Sequence, residues 1–471
     1  MLQILTQKER EQIHNTALRI LEEVGVRIRD KRVYAKLLDA GATPHPKNPD
    51  ALYFTAGMVK KHMEMCPKSF TVKDRNGNIT ELKSGAGALY YTSNGTLYTR
   101  GTSKKAVDIG EKELTDFIRV SDNLENVHGV VGTSIIEYPP QARDFAGFRL
   151  MAQNTYKHLR PCIYTPRGVD AIIEMADVIL DGKSLAENMF FTLGYSIVSP
   201  LTWSETALDL MIRSSGHKIP FMINSEPMAG GTSPVTLAGS LASADAEVIS
   251  GIVINQVLEP GRPCIYNAGF AHVFDMMTTI VLTGAPENAL LQTAGAEMAA
   301  YHNLPCASWC LSDSNMLDSQ ASYEKLTTLM AHVLGKVNMV WGIGNIETSK
   351  TISPEVAVID NELIGCSERF ARGIIVDEER LAFDTIKEVG FGGSFLGTDN
   401  TLDFYREELR NSRLPSRVNR LIWEANGSKS IEERAENVVN GILSKKPNCY
   451  LSGTQMDKLM GIQKKYIDRI V

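Results

Sequence analysis

The 471-residue sequence lacks the marks of several protein classes. Its opening, MLQILTQKER, has no basic segment followed by an apolar core, so no secretory leader is expected. No run of about 18 uncharged apolar residues occurs, and no membrane span is expected. Cysteine is scarce and odd in number: Cys66, Cys162, Cys264, Cys306, Cys310, Cys366 and Cys449, with no CxxC pair. A disulfide framework is therefore excluded, and free thiols in a reducing cytoplasm are expected. Basic charge is not in excess. The 49 Lys and Arg stand against 55 Asp and Glu, a net of -6, which excludes a broad nucleic-acid-binding face. Neither HExxH nor GxSxG occurs. The stretch Asp181-Gly-Lys-Ser184 resembles the end of a phosphate loop, but Asp177 stands where that loop needs glycine. No two of the nine histidines have ligand spacing on one helix, so no metal is expected.

What is present is a globular composition, 43% hydrophobic and 22% charged. Residues 1–120 read as an accessory region of helices and a small antiparallel sheet. Thr6-x-x-Glu9 is a capping box, and Ile13, Ala17, Leu21 and Val24 follow at helical spacing until Gly25. Asn76-Gly-Asn78 and Asn94-Gly95 are hairpin signals. From 121 to 400 strands alternate with helices. RPCIYT from Arg160, IPFMIN from Ile219, RPCIYN from Arg262 and LPCASW from Leu304 form a repeat, with Pro161, Pro220, Pro263 and Pro305 each opening a strand. Apolar runs at 127–135, 188–197, 337–343 and 392–398 bring the count to eight. Eight such units predict a (β/α)8 TIM barrel, with an open doubly wound sheet as the alternative. Residues 401–471 read as a C-terminal helical cap.

A barrel works at the C-terminal ends of its strands. His158, His217 and His302 precede predicted strands and read as structural, whereas His272 falls on the working side. That side also collects Tyr164, Tyr195, Tyr266, Trp309 and Trp341, with the acids Glu226 and Asp313. An aromatic rim with few bases suits a cation held over ring faces.

Five segments then carry a resemblance: SPLTWSE (199–205), EPMAGGTSPVTLAG (226–239), LEPGRPCIYNAG (258–269), SDSNMLDSQASYEK (312–325) and VIDNELIGCSERFARG (358–373). Together they resemble the trimethylamine methyltransferase family. The resemblance implies a (β/α)8 barrel that moves a methyl group from a methylated amine to the cobalt of a corrinoid carried by a separate protein. The founding members carry pyrrolysine at the barrel mouth, and this chain has only the twenty standard residues. It therefore resembles the non-pyrrolysine subfamily, which acts on quaternary amines such as glycine betaine, proline betaine, carnitine and γ-butyrobetaine. With the nucleophile, Co(I), supplied by the partner, the protein would position and shield the substrate and contribute no catalytic group of its own.

On that reading Tyr195, Tyr266, Trp309, Trp341 and Phe395 are cage candidates for the ammonium. Glu226 or Asp313 would balance its charge. His272, then Arg167, would hold the carboxylate of a betaine. A non-catalytic module that binds quaternary amines or docks a corrinoid protein is the alternative. A zinc–thiolate enzyme is a third reading, resting only on Cys306 and Cys310, which strand alternation could point inward together. No tightly bound cofactor is expected, and a homo-oligomer is left open.

Overall fold

The first barrel strand lies earlier in the chain than the repeat indicates. The computed structural model describes residues 2–93, 96–100 and 105–470; the hairpin signal at Asn94-Gly95 lies outside the described residues. Eight parallel strands form the central sheet: β1 Leu89–Thr92, β2 Gly129–Val131, β3 His158–Arg160, β4 Leu193–Ser196, β5 Phe221–Asn224, β6 Cys264–Gly269, β7 Cys306–Trp309 and β8 Met339–Ile343. Each pairs with its neighbour in chain order except β3 with β4, and β8 pairs back onto β1 through Met339 and Leu89. A bridge between Leu159 and Phe191 joins β3 to the approach of β4 and closes the ring. A helix follows every strand, from Glu111–Asp122 after β1 to Pro354–Arg372 after β8. This is the (β/α)8 barrel.

Two boundaries change as a result. The accessory region ends before Leu89, because LYYT in β1 is the strand that the sequence reading sought at 392–398. The latter segment is exposed turn and coil, with Phe395 45% exposed. Between its glycines it offers only Phe395 and Leu396 as apolar side chains, too few for a strand buried on both faces.

Pro220, Pro263 and Pro305 stand immediately before β5, β6 and β7. Their carbonyls accept from Leu193, Phe221 and Tyr266, so each joins the ladder through its oxygen, and the absent N–H costs nothing there. Pro161 breaks the pattern. It follows Arg160, the last residue of β3, and so ends a strand where the repeat predicted a beginning.

The hairpin Ser69–Lys73/Ile79–Lys83 plugs the N-terminal end of the barrel. Its ends bond to the approaches of three strands, through Lys73 to Met189, Arg75 to Tyr156 and Asn338 to Lys83. Val72 and Leu82 belong to the same interior cluster as Tyr91, Val131, Met222, Ile265, Trp309 and Trp341. The helix Leu237–Leu258 is long and apolar enough to cross a membrane, but it is buried over most of its length. It packs against the barrel and the helices Gln7–Arg19 and Ala56–Met65. Its small residues serve that packing: a Cβ at Gly251 would meet Ile223 and Trp203 at 2.4 and 2.5 Å. At the C-terminus, Ile431–Leu443 and Gly453–Ile467 dock on barrel helices, while the helices between 378 and 425 contain no buried residue.

Candidate functional site

The strand parity that places side chains inside the barrel sorts the expected aromatics into two groups. Trp309, the last residue of β7, and Trp341, in the middle of β8, face the interior. They are adjacent strand partners in register. Phe270, just beyond β6, stacks on Trp309 with centroids 4.3 Å apart and meets Trp341 edge-on at 5.3 Å. His272 lies 4.7 Å from Trp309. The result is a continuous aromatic wall at the working end.

Tyr195 and Tyr266 take the other parity. Tyr195 packs with the cluster outside the barrel, beside its register partner Ile223. Tyr266 is wholly buried behind the wall, and its phenol donates to Asp245 at 2.7 Å. Neither belongs to the interior wall, because one step along a strand reverses the face. Phe395 lies outside the barrel altogether. Arg167 is exposed and lines a groove with Asp170, Asp209, Arg213 and Tyr466, between outer helices and away from this wall.

The two acids differ in how they are engaged. Asp313 accepts from the Thr283 amide and hydroxyl, the Gly284 amide and the Thr348 hydroxyl, so it clamps two mouth loops together. Glu226 follows β5 and takes a single side-chain hydrogen bond, from Ser196 at the end of β4. Burial pushes its carboxyl above the usual range, against the pull of that hydroxyl. His272 is 6% exposed, and burial pushes its imidazole down to about 4 despite the opposing pull of Asp313, so it is neutral at pH 7.

Sequence reasoning missed several interior groups. Asn224 and Asn267 end the IPFMIN and RPCIYN repeats, pair in register and are joined by a 3.0 Å hydrogen bond. Their shared place in the repeat was the signal available. Phe270 and Arg160 gave none, since their neighbours come from strands distant in sequence. Arg160 lies over Trp341, 4.8 Å from the ring centroid.

The thiols do not form a metal site. Cys306 and Cys310 face the cluster outside the barrel and hydrogen-bond to Asn338 and to the Lys325 carbonyl. Burial raises them to about 11 and 12, so both are thiols at neutral pH. His14, Asp245 and His302 do come within 4.8 Å of one another, on helices behind β6. Asp245 there accepts from His302 at 3.0 Å and from the Tyr266 phenol. His158, read as structural, opens β3 and is buried at the N-terminal end of that strand, with its Nδ1 3.1 Å from the Tyr91 hydroxyl.

A closed barrel with this interior has the fold seen in the solved hydroxylamine complex of MtmB, with a TM-score of 0.51 at 11% identity, covering 96% of this chain and 92% of that one. The chain belongs to the trimethylamine methyltransferase (MTTB) family, whose model matches residues 1–469. It is 28% identical over 463 residues to the trimethylamine methyltransferase MttB of Methanosarcina barkeri (strain Fusaro / DSM 804), covering 94% of this chain and 90% of the relative. It is also 28% identical over 424 residues to the glycine betaine methyltransferase of Desulfitobacterium hafniense (strain Y51), covering 88% and 87%. This is a methyltransferase.

Proposed function

We propose that this methyltransferase takes a methyl group from a betaine, a quaternary ammonium compound with a carboxylate, and delivers it to Co(I) of a corrinoid held by a separate protein. The observation that carries the reading is the wall of Trp341, Phe270 and Trp309, at the end of the barrel where Glu226 follows β5. Ring faces and one acid suit an ammonium with no N–H to donate. The glycine betaine methyltransferase among the relatives points the same way.

The transfer is a displacement at carbon. The Co(I) lone pair forms the new Co–C bond, and the C–N pair returns to nitrogen. The products are methyl-Co(III) and a neutral tertiary amine, and no proton moves. Such a step needs no acid, base or nucleophile from this chain. It needs a fixed methyl group, water excluded and a face on which the acceptor protein can rest. The loops beyond the strands carry exposed apolar groups at Ile136, Val198, Val235, Met276, Met277 and Ile280, which suits the docking of a partner. We place the enzyme in the cytoplasm, a reading supported by the free thiols of Cys66, Cys264, Cys306, Cys310, Cys366 and Cys449.

The test is incubation with a panel of betaines and a reduced corrinoid protein, following conversion of Co(I) to methyl-Co(III) by absorbance. Conversion with at least one betaine is expected. Turnover of trimethylamine with none of the betaines would overturn the reading. Tight betaine binding without conversion would make the protein a binding module.

A further inference from the structure

Four Arg and Lys side chains are buried among the described residues: Arg149, Arg160, Arg262 and Lys325. Three have a carboxylate. Arg149 pairs with Glu111, Arg262 has Glu259 at 3.7 Å, and Lys325 has Asp360 at 2.6 Å. Arg160 has none among the described residues. A buried charge without a counter-ion is costly, so its persistence needs a reason.

Its surroundings are built to present it. Arg160 ends β3 and faces the interior at the working end of the barrel. Two of its donors reach backbone oxygens, Nη1 to Pro161 at 2.7 Å and Nη2 to Gly194 at 3.1 Å. These fix the plane of the guanidinium without cancelling its charge. Gly194 makes room for it, since a Cβ there would lie 2.8 Å from Nη2. Its Nε is buried with no acceptor, and so are the indole Nε1 atoms of Trp341 beneath it and of Trp309 next along the wall.

The opposite charge is near. Gly194, which touches Arg160, and Ser196, which touches Glu226, are successive inward-facing positions of β4. Two residues of extended strand span about 6.6 Å. The interior therefore carries a positive and a negative group about one pleat repeat apart, the complement of a small zwitterion.

We propose that Arg160 binds the carboxylate of the substrate and so selects betaines over quaternary amines that lack a carboxylate. The assignment rests on the betaine reading and replaces His272 and Arg167 as the carboxylate partner. His272 is neutral, and Arg167 lies on another surface. The guanidinium lends charge-assisted hydrogen bonds from Nε and its remaining Nη hydrogens, while the ammonium sits toward Glu226 and Trp309.

The test is calorimetric binding of glycine betaine, its methyl ester, which keeps the ammonium and loses the carboxylate charge, and choline. Wild-type protein should prefer glycine betaine over both by roughly 10- to 100-fold, the range of a buried charge-assisted hydrogen bond. Arg160→Gln should bring that ratio near one while leaving choline binding in place, and Arg160→Lys should restore part of it. A purely structural role would weaken all three ligands together. An unchanged ratio in Arg160→Gln would overturn the assignment. If that variant does not fold, the wild-type comparison decides: equal binding of glycine betaine and its methyl ester overturns it. Binding of no quaternary amine at all by the wild type would overturn the betaine reading as well.

Discussion

Arg160 covers one face of Trp341, with its guanidinium carbon 4.8 Å from the ring centroid, so that indole already holds a cation belonging to the protein. Trp341 is also the more enclosed of the pair, 1% exposed against 8% for Trp309. The two tryptophans are equivalent by strand position but differently engaged: Trp341 seats the arginine, which on the proposed reading leaves Trp309 as the ring for substrate.

Substitution of Trp309 by Leu keeps apolar bulk and removes the ring's negative face. A desolvated cation–π contact contributes about 2 kcal/mol, so ammonium affinity should fall roughly 30-fold with the fold intact. Calorimetry with choline, which lacks the carboxylate, reads this directly. Choline affinity unchanged in Trp309→Leu would remove this ring from the cage.

Glu226 should give binding a pH dependence. Burial holds its folded carboxyl above the ordinary value, against the pull of the Ser196 hydroxyl. A cation favours the ionised form. Affinity for choline should then be full above the raised pKa and decline as pH falls through it. Glu226→Gln should weaken binding at high pH and flatten the profile. A wild-type profile that is flat across the carboxylate range would refute the role of Glu226.

The wholly buried pair of Lys325 and Asp360 braces the end of β8. Lys325 donates to the Gly342 carbonyl and Asp360 accepts from the Gly344 amide, on either side of Ile343. Lys325→Met leaves a buried carboxylate unpaired and should cost about 3–5 kcal/mol in denaturant unfolding. Replacing both partners by apolar residues of similar size should recover most of that loss.

Gly342 has φ +102°, and a Cβ there would sit 2.3 Å from the Cys310 carbonyl. The register of β8 on β1 shifts at this point. Gly342→Ala should destabilise the protein by more than about 1 kcal/mol and displace the neighbouring Trp341, visible as a change in near-ultraviolet circular dichroism. An unchanged melting temperature would show that the bulge relaxes freely.

The sequence by itself determined the architecture and the family. Three proline-led strands, regular βα spacing and long collinear motifs survive translation into structure because they are local: each depends on residues a few positions apart. It also placed Trp309, Trp341, Glu226 and His272 at the working end, since strand ends could be read from the repeat. Parity was not legible. Barrel strands are buried on both faces, so they read as continuous apolar runs with no alternation to say which side chains point inward. For that reason only tertiary structure could send Tyr195 and Tyr266 outward and bring Phe270 onto Trp309. The first strand, LYYT, has no proline and no preceding βα unit to announce it, and it was recognisable only when β2 and β8 paired on either side. Arg160 looked like the start of a repeat. Ring closure, which brings β3 and β8 to face one interior, turned it into a buried cation above Trp341.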